Sequence, residues 1–458
     1  MSFINLDQIQ SALNQPCPDP GRVRDVLARA RTLVGLEPEQ AALLTRVTDA
    51  MLLEEIFSAA RGVKETIYGK RLVLFAPLYI SNRCQNECLY CGFRRANADM
   101  QRMSLSQAQI ADEVRCLTAE GHKRLLLVAG EQEGPGSLRY VLDSIATIYA
   151  CREPGLEIRR VNVNIAPLET EEFRQLAASR IGTYQLFQET YHPQTYVRMH
   201  PSGPKADYGR RLLTMHRAMQ AGINDVGIGA LFGLHDWRFE LLSLLQHSRE
   251  LEKTFGSGPH TISVPRLEPA SGSALAARPP AAVSDEDFLK LIAILRLAVP
   301  YTGIILSTRE TPGVRRAAFA LGVSQISAGS RTTPGGYGHT EDETSGQFSL
   351  GDHRSLDEVI ADIAQLGYIP SFCTACYRLG RTGADFMDLA RPGAIKAHCD
   401  PNALATFQEY LNRFASDETR RIGGALIEDH LQTLDAPVAA TARNLLQRMA
   451  AGETDVYC

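Results

Sequence analysis

The sequence predicts an α/β protein built on a (β/α)8 TIM-type barrel, with an N-terminal helical extension and a C-terminal module that carries its own cysteine group. Three observations predict it. From residue 71 onward, eight short apolar, β-rich runs follow one another, and segments with helical periodicity separate most of them. Polar residues recur at the ends of those runs, where a barrel carries its working loops. Cysteines are grouped in two places, one directly after the first run and one beyond the last.

Residues 1–70 read as mostly helical, with periodic apolar positions over 23–34 and 41–61, and with Pro16, Pro18 and Pro20 interrupting the earlier part. The expected strands are 72–80, 124–130, 160–166, 183–189, 225–232, 261–267, 302–307 and 324–328. Between them, 104–120, 138–151, 169–179, 207–221, 237–255 and 285–299 have the length and period of helices. Eight such units favour a closed barrel over an open sheet. A Gly-rich connection, 333–351, leaves the barrel, and helix-like segments follow at 355–366, 402–414 and 436–450, the last with Pro437 in its first turn. The expected division is therefore an extension over 1–70, a barrel over 71–332 and a C-terminal module over 333–458.

The formal charge is -4 and the basic residues form no run, so nothing points to nucleic acid or to an acidic membrane surface. No apolar run reaches the roughly 18 residues of a membrane span, and residues 1–10 lack the pattern of a leader. A cytoplasmic protein acting on small molecules, with other proteins as partners, is the expectation. In a reducing compartment the ten cysteines are ligands or buried thiols rather than a disulfide framework. Cys17, Cys116, Cys151 and Cys458 are scattered and read as structural or incidental.

Cys84, Cys88 and Cys91 are spaced C-x3-C-x2-C on the loop after the first strand. Three thiolates on one short loop can hold three irons of a [4Fe-4S] cluster and leave the fourth open for chemistry. A structural zinc site is the other reading, although zinc normally takes four ligands and no fourth cysteine or histidine lies close in sequence. Cys373, Cys376 and Cys399 are spaced C-x2-C-x22-C, and here too zinc is open as a reading, with His398 as a fourth ligand. Other polar residues fall at strand ends: Gly130-Glu131-Gln132, Asn162, Asn164, Glu189-Thr190-Tyr191-His192, Arg266, Arg309-Glu310, Ser327 and Ser330-Arg331.

The first triplet and its strand context resemble the radical S-adenosylmethionine (SAM) superfamily. In that superfamily the amino and carboxylate groups of SAM chelate the open iron. The resemblance implies that Tyr90 lies near the SAM adenine and that Gly130 and Glu131 meet the SAM amino group; Asn164 and Glu189 belong to the same cofactor-binding set. The second triplet, downstream of such a barrel, resembles the [FeFe]-hydrogenase maturase HydG family of radical SAM tyrosine lyases. The likeness covers most of residues 40–450. It includes Leu74-Phe75-Ala76-Pro77-Leu78-Tyr79, Glu189-Thr190-Tyr191-His192, Gly258-Pro259-His260-Thr261-Ile262-Ser263-Val264-Pro265 and Ser371-Phe372-Cys373-Thr374-Ala375-Cys376-Tyr377-Arg378.

What the resemblance implies is concrete. Cleavage of SAM gives a 5′-deoxyadenosyl radical that takes a hydrogen atom from tyrosine, whose Cα–Cβ bond breaks to give p-cresol and dehydroglycine. The glycine-derived fragment passes along the barrel to an auxiliary [4Fe-4S] cluster on Cys373, Cys376 and Cys399, where it yields carbon monoxide and cyanide. An additional iron there is held by a histidine, matched by His260, and by a non-protein cysteine; on its residues alone His260 also reads as structural. A tyrosine carboxylate needs a cation, and Arg331 and Arg309 are the candidates, because an arginine fork matches carboxylate geometry. The implied partners are tyrosine, SAM, an electron donor such as a ferredoxin or flavodoxin, and other hydrogenase maturases. The alternatives are a thiamine-pathway tyrosine lyase, which lacks a C-terminal triplet of this kind, and a non-catalytic iron-sulfur scaffold.

Overall fold

The computed structural model describes residues 3–132, 134, 136–338, 346–390 and 393–458. Residues 339–345 of the expected Gly-rich connection lie outside the described residues. Four helices come first: α1 (Leu6–Leu13), α2 (Pro20–Arg31), α3 (Pro38–Thr45) and α4 (Ala50–Tyr68). Their starts are written locally, since Asn5, Asp19 and Asp49 each accept a backbone N–H of the first turn and Pro20 and Pro38 occupy first-turn positions. Helix α4 packs on the barrel helix Asp285–Ala298, and Lys290 from that helix donates to the Thr45 and Val47 carbonyls, capping the end of α3.

The barrel strands are β1 (Arg71–Ser81), β2 (Arg124–Ala129), β3 (Arg160–Asn164), β4 (Tyr184–Gln185), β5 (Val226–Gly229), β6 (Thr261–Ser263), β7 (Gly303–Leu306) and β8 (Gln325–Ser327). All pairings are parallel, and β1 bonds to both β2 and β8, so the eight strands close into a ring. Alternation along β1 sorts its side chains: Leu72, Leu74, Ala76, Leu78 and Ile80 are fully buried against the surrounding helices, while Val73, Phe75, Pro77 and Tyr79 face the interior cavities.

A further strand, β9 (Ile369–Ser371), comes from the segment expected to form the C-terminal module, and it pairs with residues 71–73 of β1. The reason is length. β1 has 11 residues and β2 only 6, so β2 covers only the upper part of one edge of β1, and β9 fills the lower part. This pairing places Cys373 at the N-terminal end of the barrel.

Several expected elements differ from the structure: the strands over 225–232 and 261–267 shorten to Val226–Gly229 and Thr261–Ser263, the helix Asp417–Thr433 was not expected, and two further departures bear on the site. The strand expected over 183–189 is regular only at Tyr184–Gln185; backbone bonds to the next strand continue irregularly through Leu186 and Gln188 to a bridge between Glu189 and Ala230, where Glu189 takes a left-handed backbone (φ 70°). The helix expected over 207–221 is broken in two, Tyr208–Leu212 and Thr214–Gln220, with a separate short turn, Pro204–Ala206, just before it. Both departures lie next to the cavity described below, and both aim charged side chains into it.

Candidate functional site

The C-terminal mouth of the barrel holds a cavity lined by Cys84, Cys88, Cys91, Tyr90, Gly130, Glu131, Asn164, Glu189 and Arg309, that is, by residues expected from the sequence. The cysteine loop is fastened on all sides. Buried Asn82 donates to the Gln101 carbonyl and accepts from Met103 N–H, each at 2.7 Å, and Asn86 Nδ2 donates to Glu131 at 2.9 Å. Gly130 N–H donates to the Ser81 carbonyl at 2.8 Å, and a Cβ on Gly130 would collide with the Arg83 backbone. Glycine is required there because β2 touches the cysteine loop main chain to main chain. Gly130→Ala is therefore expected to displace the loop and lower iron loading by the first cysteine group, which iron analysis after anaerobic reconstitution checks.

Burial pushes the free Cys84 thiol up to about 11 and raises Cys88 and Cys91 as well. Unligated, these thiols are neutral at pH 7, so iron binding must release their protons. The Cys91 sulfur also accepts Gln347 Nε2 at 3.7 Å.

Beside the cysteines sits a buried four-charge network that the sequence did not disclose. Arg211 Nη1 meets Glu131 at 2.8 Å and Lys205 Nζ meets Glu189 at 2.7 Å, with Arg211 Nη2 to Glu189 at 3.4 Å. Burial alone works against ionisation of Glu131, but Arg211 and Lys205 outweigh it and hold the carboxyl down to about 2. Arg211 comes from the segment expected to be one regular helix, and Lys205 from the short turn Pro204–Ala206 just before it, a stretch for which the sequence predicts no element. Tyr90 is tied down too, its hydroxyl 2.8 Å from His200 Nε2, and burial next to Lys205 and Arg211 keeps that imidazole neutral.

The remaining strand-end residues divide. Arg309 is half-buried, with its guanidinium 3.2 Å from the Phe348 ring centroid, and it lines the cavity. Arg331 does not line it. Its Nη1 donates to the Ser330 carbonyl at 3.1 Å, while the adjacent Ser330 and Thr332 do face the cavity. Asn162 accepts from Arg160 and from Thr183 N–H lower in the barrel. Thr190 and the Tyr191 N–H both bind buried Glu240, His192 caps the helix Pro193–Met199, and Arg266 pairs with Glu310. These last five serve the scaffold.

The second cysteine group lies at the opposite end of the same barrel. Cys373 follows β9, Cys376 is on the helix Ala375–Arg378 and Cys399 is in the first turn of Lys396–Arg413. All three line one cavity with Arg71, Arg124, His260 and Tyr377. Arg124 donates to the Cys373 carbonyl at 2.6 Å. Burial lifts the Cys373 thiol to about 11, whereas Cys376, accepting a hydrogen bond from Cys399, is lowered and Cys399 is raised. His260 reaches Tyr377 through Nε2 at 3.0 Å and Asp225 through Nδ1 at 3.6 Å. His398, the alternative fourth zinc ligand, does not line this cavity. Among the described residues, no three His, Cys, Asp or Glu side chains converge on a point that would hold a single metal ion. The donor sets, three thiols spread around each cavity, instead suit a cluster that each sulfur grips at a different iron.

The two cavities occupy successive layers of one barrel interior. Val73, Gly303 and Gln325 line the lower one, and Phe75, Ile305 and Ser327, two residues further along the same strands, line the upper.

Residues 78–244 match the Radical SAM superfamily, and residues 263–369 match the Biotin and Thiamin Synthesis associated domain. A crystal structure of HydG, a maturase of the [FeFe]-hydrogenase, superposes with a TM-score of 0.96 at 46% identity, covering 100% of both chains. The chain belongs to the HydG family of radical SAM maturases. HydG from Carboxydothermus hydrogenoformans matches at 41% identity and TM-score 0.85 over 97% of this chain and 98% of its own. The 2-iminoacetate synthase of Escherichia coli (strain K12) is 34% identical over 320 residues, 69% of this chain and 82% of that one. Family membership accounts for a barrel with a cysteine loop on β1. Among the described residues, no helix is long and apolar enough to cross a membrane.

Proposed function

We propose that this radical SAM enzyme cleaves the Cα–Cβ bond of tyrosine, releasing p-cresol and dehydroglycine, and converts the glycine fragment to carbon monoxide and cyanide for [FeFe]-hydrogenase cofactor assembly. The observation that carries this reading is the stacking of two cysteine triplets in consecutive layers of one barrel interior. When bound, the first [4Fe-4S] cluster with SAM supplies a 5′-deoxyadenosyl radical, and the auxiliary cluster, with an additional iron, supplies a centre for the diatomic products.

The chain's own residues do the rest. Cys84, Cys88 and Cys91 hold the first cluster, and Cys373, Cys376 and Cys399 the auxiliary one, with His260 toward the additional iron. Glu131 receives the SAM amino group: Arg211 and Asn86 each use one lone pair of its two oxygens, and an ionised carboxylate has about four to offer. Tyr90 walls the adenine, with Gly130, Asn164 and Glu189 completing the SAM pocket. Arg309 and Arg331 are the cations for the tyrosine carboxylate, one in the cavity wall and one beside it. Phe75, Pro77, Leu126 and Val128 line the upper cavity with apolar surface that keeps water from a primary carbon radical. A ferredoxin or flavodoxin supplies the electron, and other hydrogenase maturases take the product.

Anaerobically reconstituted protein given SAM, reductant and tyrosine is expected to form p-cresol, cyanide and carbon monoxide. A thiamine-pathway lyase would stop at p-cresol and dehydroglycine, and a scaffold would form no p-cresol. Glu131→Gln is expected to weaken SAM binding by roughly 10- to 100-fold, the worth of a charged hydrogen bond, read as the SAM concentration dependence of 5′-deoxyadenosine release. Arg309→Lys and Arg331→Lys, assayed side by side, identify the carboxylate partner. The one that binds it raises the tyrosine KM about tenfold with little change in SAM affinity, since lysine cannot reproduce the fork.

A further inference from the structure

On the N-terminal face of the barrel, outside the auxiliary cavity, lies a cleft of about 930 Å3. Exposed Arg152, Arg180 and Asn224 are part of its wall, so it opens to the surface. Tyr377 lines both this cleft and the cavity of Cys373, Cys376 and Cys399. One aromatic side chain, held by His260 through its hydroxyl, therefore stands between the surface and those thiols.

Among the described residues, two buried polar atoms of residues lining the cleft have no hydrogen-bond partner, Arg160 Nη1 and Asp225 Oδ2, and the Arg160 guanidinium packs over the ring of Tyr377. Arg160 is 2% exposed and Asp225 3%. The rest of each group is engaged. Arg160 Nε donates to Asn162 at 2.8 Å and Nη2 to Thr183 at 2.9 Å, while Asp225 Oδ1 accepts from Gly383 N–H at 3.0 Å. Gly182, also in the cleft wall, leaves the room that the guanidinium fills, because a Cβ there would strike Arg160 Nε and Cζ. A buried guanidinium nitrogen without an acceptor is costly, and an anion in the open cleft beside it would relieve that cost.

We propose that this cleft binds a small carboxylate on Arg160 and admits it to the auxiliary site, with Tyr377 as the door. The carboxylate fits the open edge of the guanidinium. Asp225 Oδ2, unpaired in the same cleft, favours a carboxylate that also carries an amino group. The proposal rests on the auxiliary cysteines being a working site, but its test does not require iron.

The test uses the full chain before cluster loading and compares alkylation by iodoacetate, a carboxylate, with iodoacetamide, its neutral counterpart. Mass spectrometry reads the modification at Cys373, Cys376 and Cys399, with exposed Cys17 as the reference. The iodoacetate-to-iodoacetamide ratio at the three cysteines is expected to exceed that at Cys17 by about tenfold at low salt. Arg160→Gln should remove the excess, which separates its contribution from those of Arg71 and Arg124. Tyr377→Ala should speed both reagents. In the unmutated chain glycine should slow iodoacetate and acetate should do so less; equal protection would support the carboxylate site and overturn the part given to Asp225. A ratio equal to that at Cys17, an excess that survives Arg160→Gln, or no protection by either small carboxylate overturns the proposal. The protection arm decides even where Arg160→Gln does not fold. Failure of these cysteines to take up iron would instead count against the auxiliary-cluster reading.

Discussion

Cys84→Ala is expected to abolish every product: no 5′-deoxyadenosine, no p-cresol, no cyanide and no carbon monoxide. The loss is complete because the effect is not a weakened contact. Three thiolates hold three of about four irons in such a cluster, and with one gone the remaining two are insufficient to keep it. Among the described residues the flanking groups that reach the loop are an amide, Gln347, and the charge-paired Glu131 and Glu189, none of them a free thiolate. Alanine removes a half-buried sulfur and leaves the hydrogen bonds of Asn82 and Asn86 intact, so the fold should persist. Iron analysis should show loss of about four irons per chain with the auxiliary group still loaded. Turnover of SAM in this variant would sink the assignment of the first triplet.

The second large effect is a separation of products. Cys373→Ser with Cys376→Ser is expected to leave p-cresol formation within about twofold of the parent while carbon monoxide disappears, because the two triplets line different cavities and independent sites act additively. Serine nearly matches cysteine in shape but not in affinity for iron, which prefers the softer thiolate. Both positions are anchored by their backbone, Cys373 after β9 and Cys376 on a short helix, so the upper cavity should be undisturbed. Gas-phase detection of carbon monoxide beside chromatography of p-cresol measures both. Unchanged carbon monoxide output would rule out the second-cluster assignment, and loss of p-cresol as well would show that the lower end of the barrel supports the upper.

The legible parts of this protein are the local ones. The period of the apolar runs marked eight barrel strands, and C-x3-C-x2-C marked a loop whose ligands lie close along the chain. Gly130 and Glu131 were visible as a strand-end pair, and the structure adds why the first must be glycine: its backbone abuts that of Arg83. His260 was visible only through its motif, and the cavity it shares with Cys373, Cys376 and Cys399 is a tertiary fact. The regular helix read over 207–221 failed because a charge it carries is used inward: Arg211 is buried against Glu131, and a regular surface helix would have turned it to solvent.

The sequence by itself determined the barrel and singled out the six cysteines proposed to hold clusters, because strand period and cysteine spacing are properties of neighbouring residues. Only the tertiary structure decided how those parts act together. Closure of the ring put Glu131, Glu189, Lys205 and Arg211 around one cavity, and the uncovered lower edge of β1 drew β9, and with it Cys373, to the far end of the same interior. Tyr377, Arg160 and Asp225 came into a shared cleft in the same way. The physical reason is that partners for a buried charge or a bare strand edge are chosen by packing across the whole chain, and no local pattern records which distant residue will supply them.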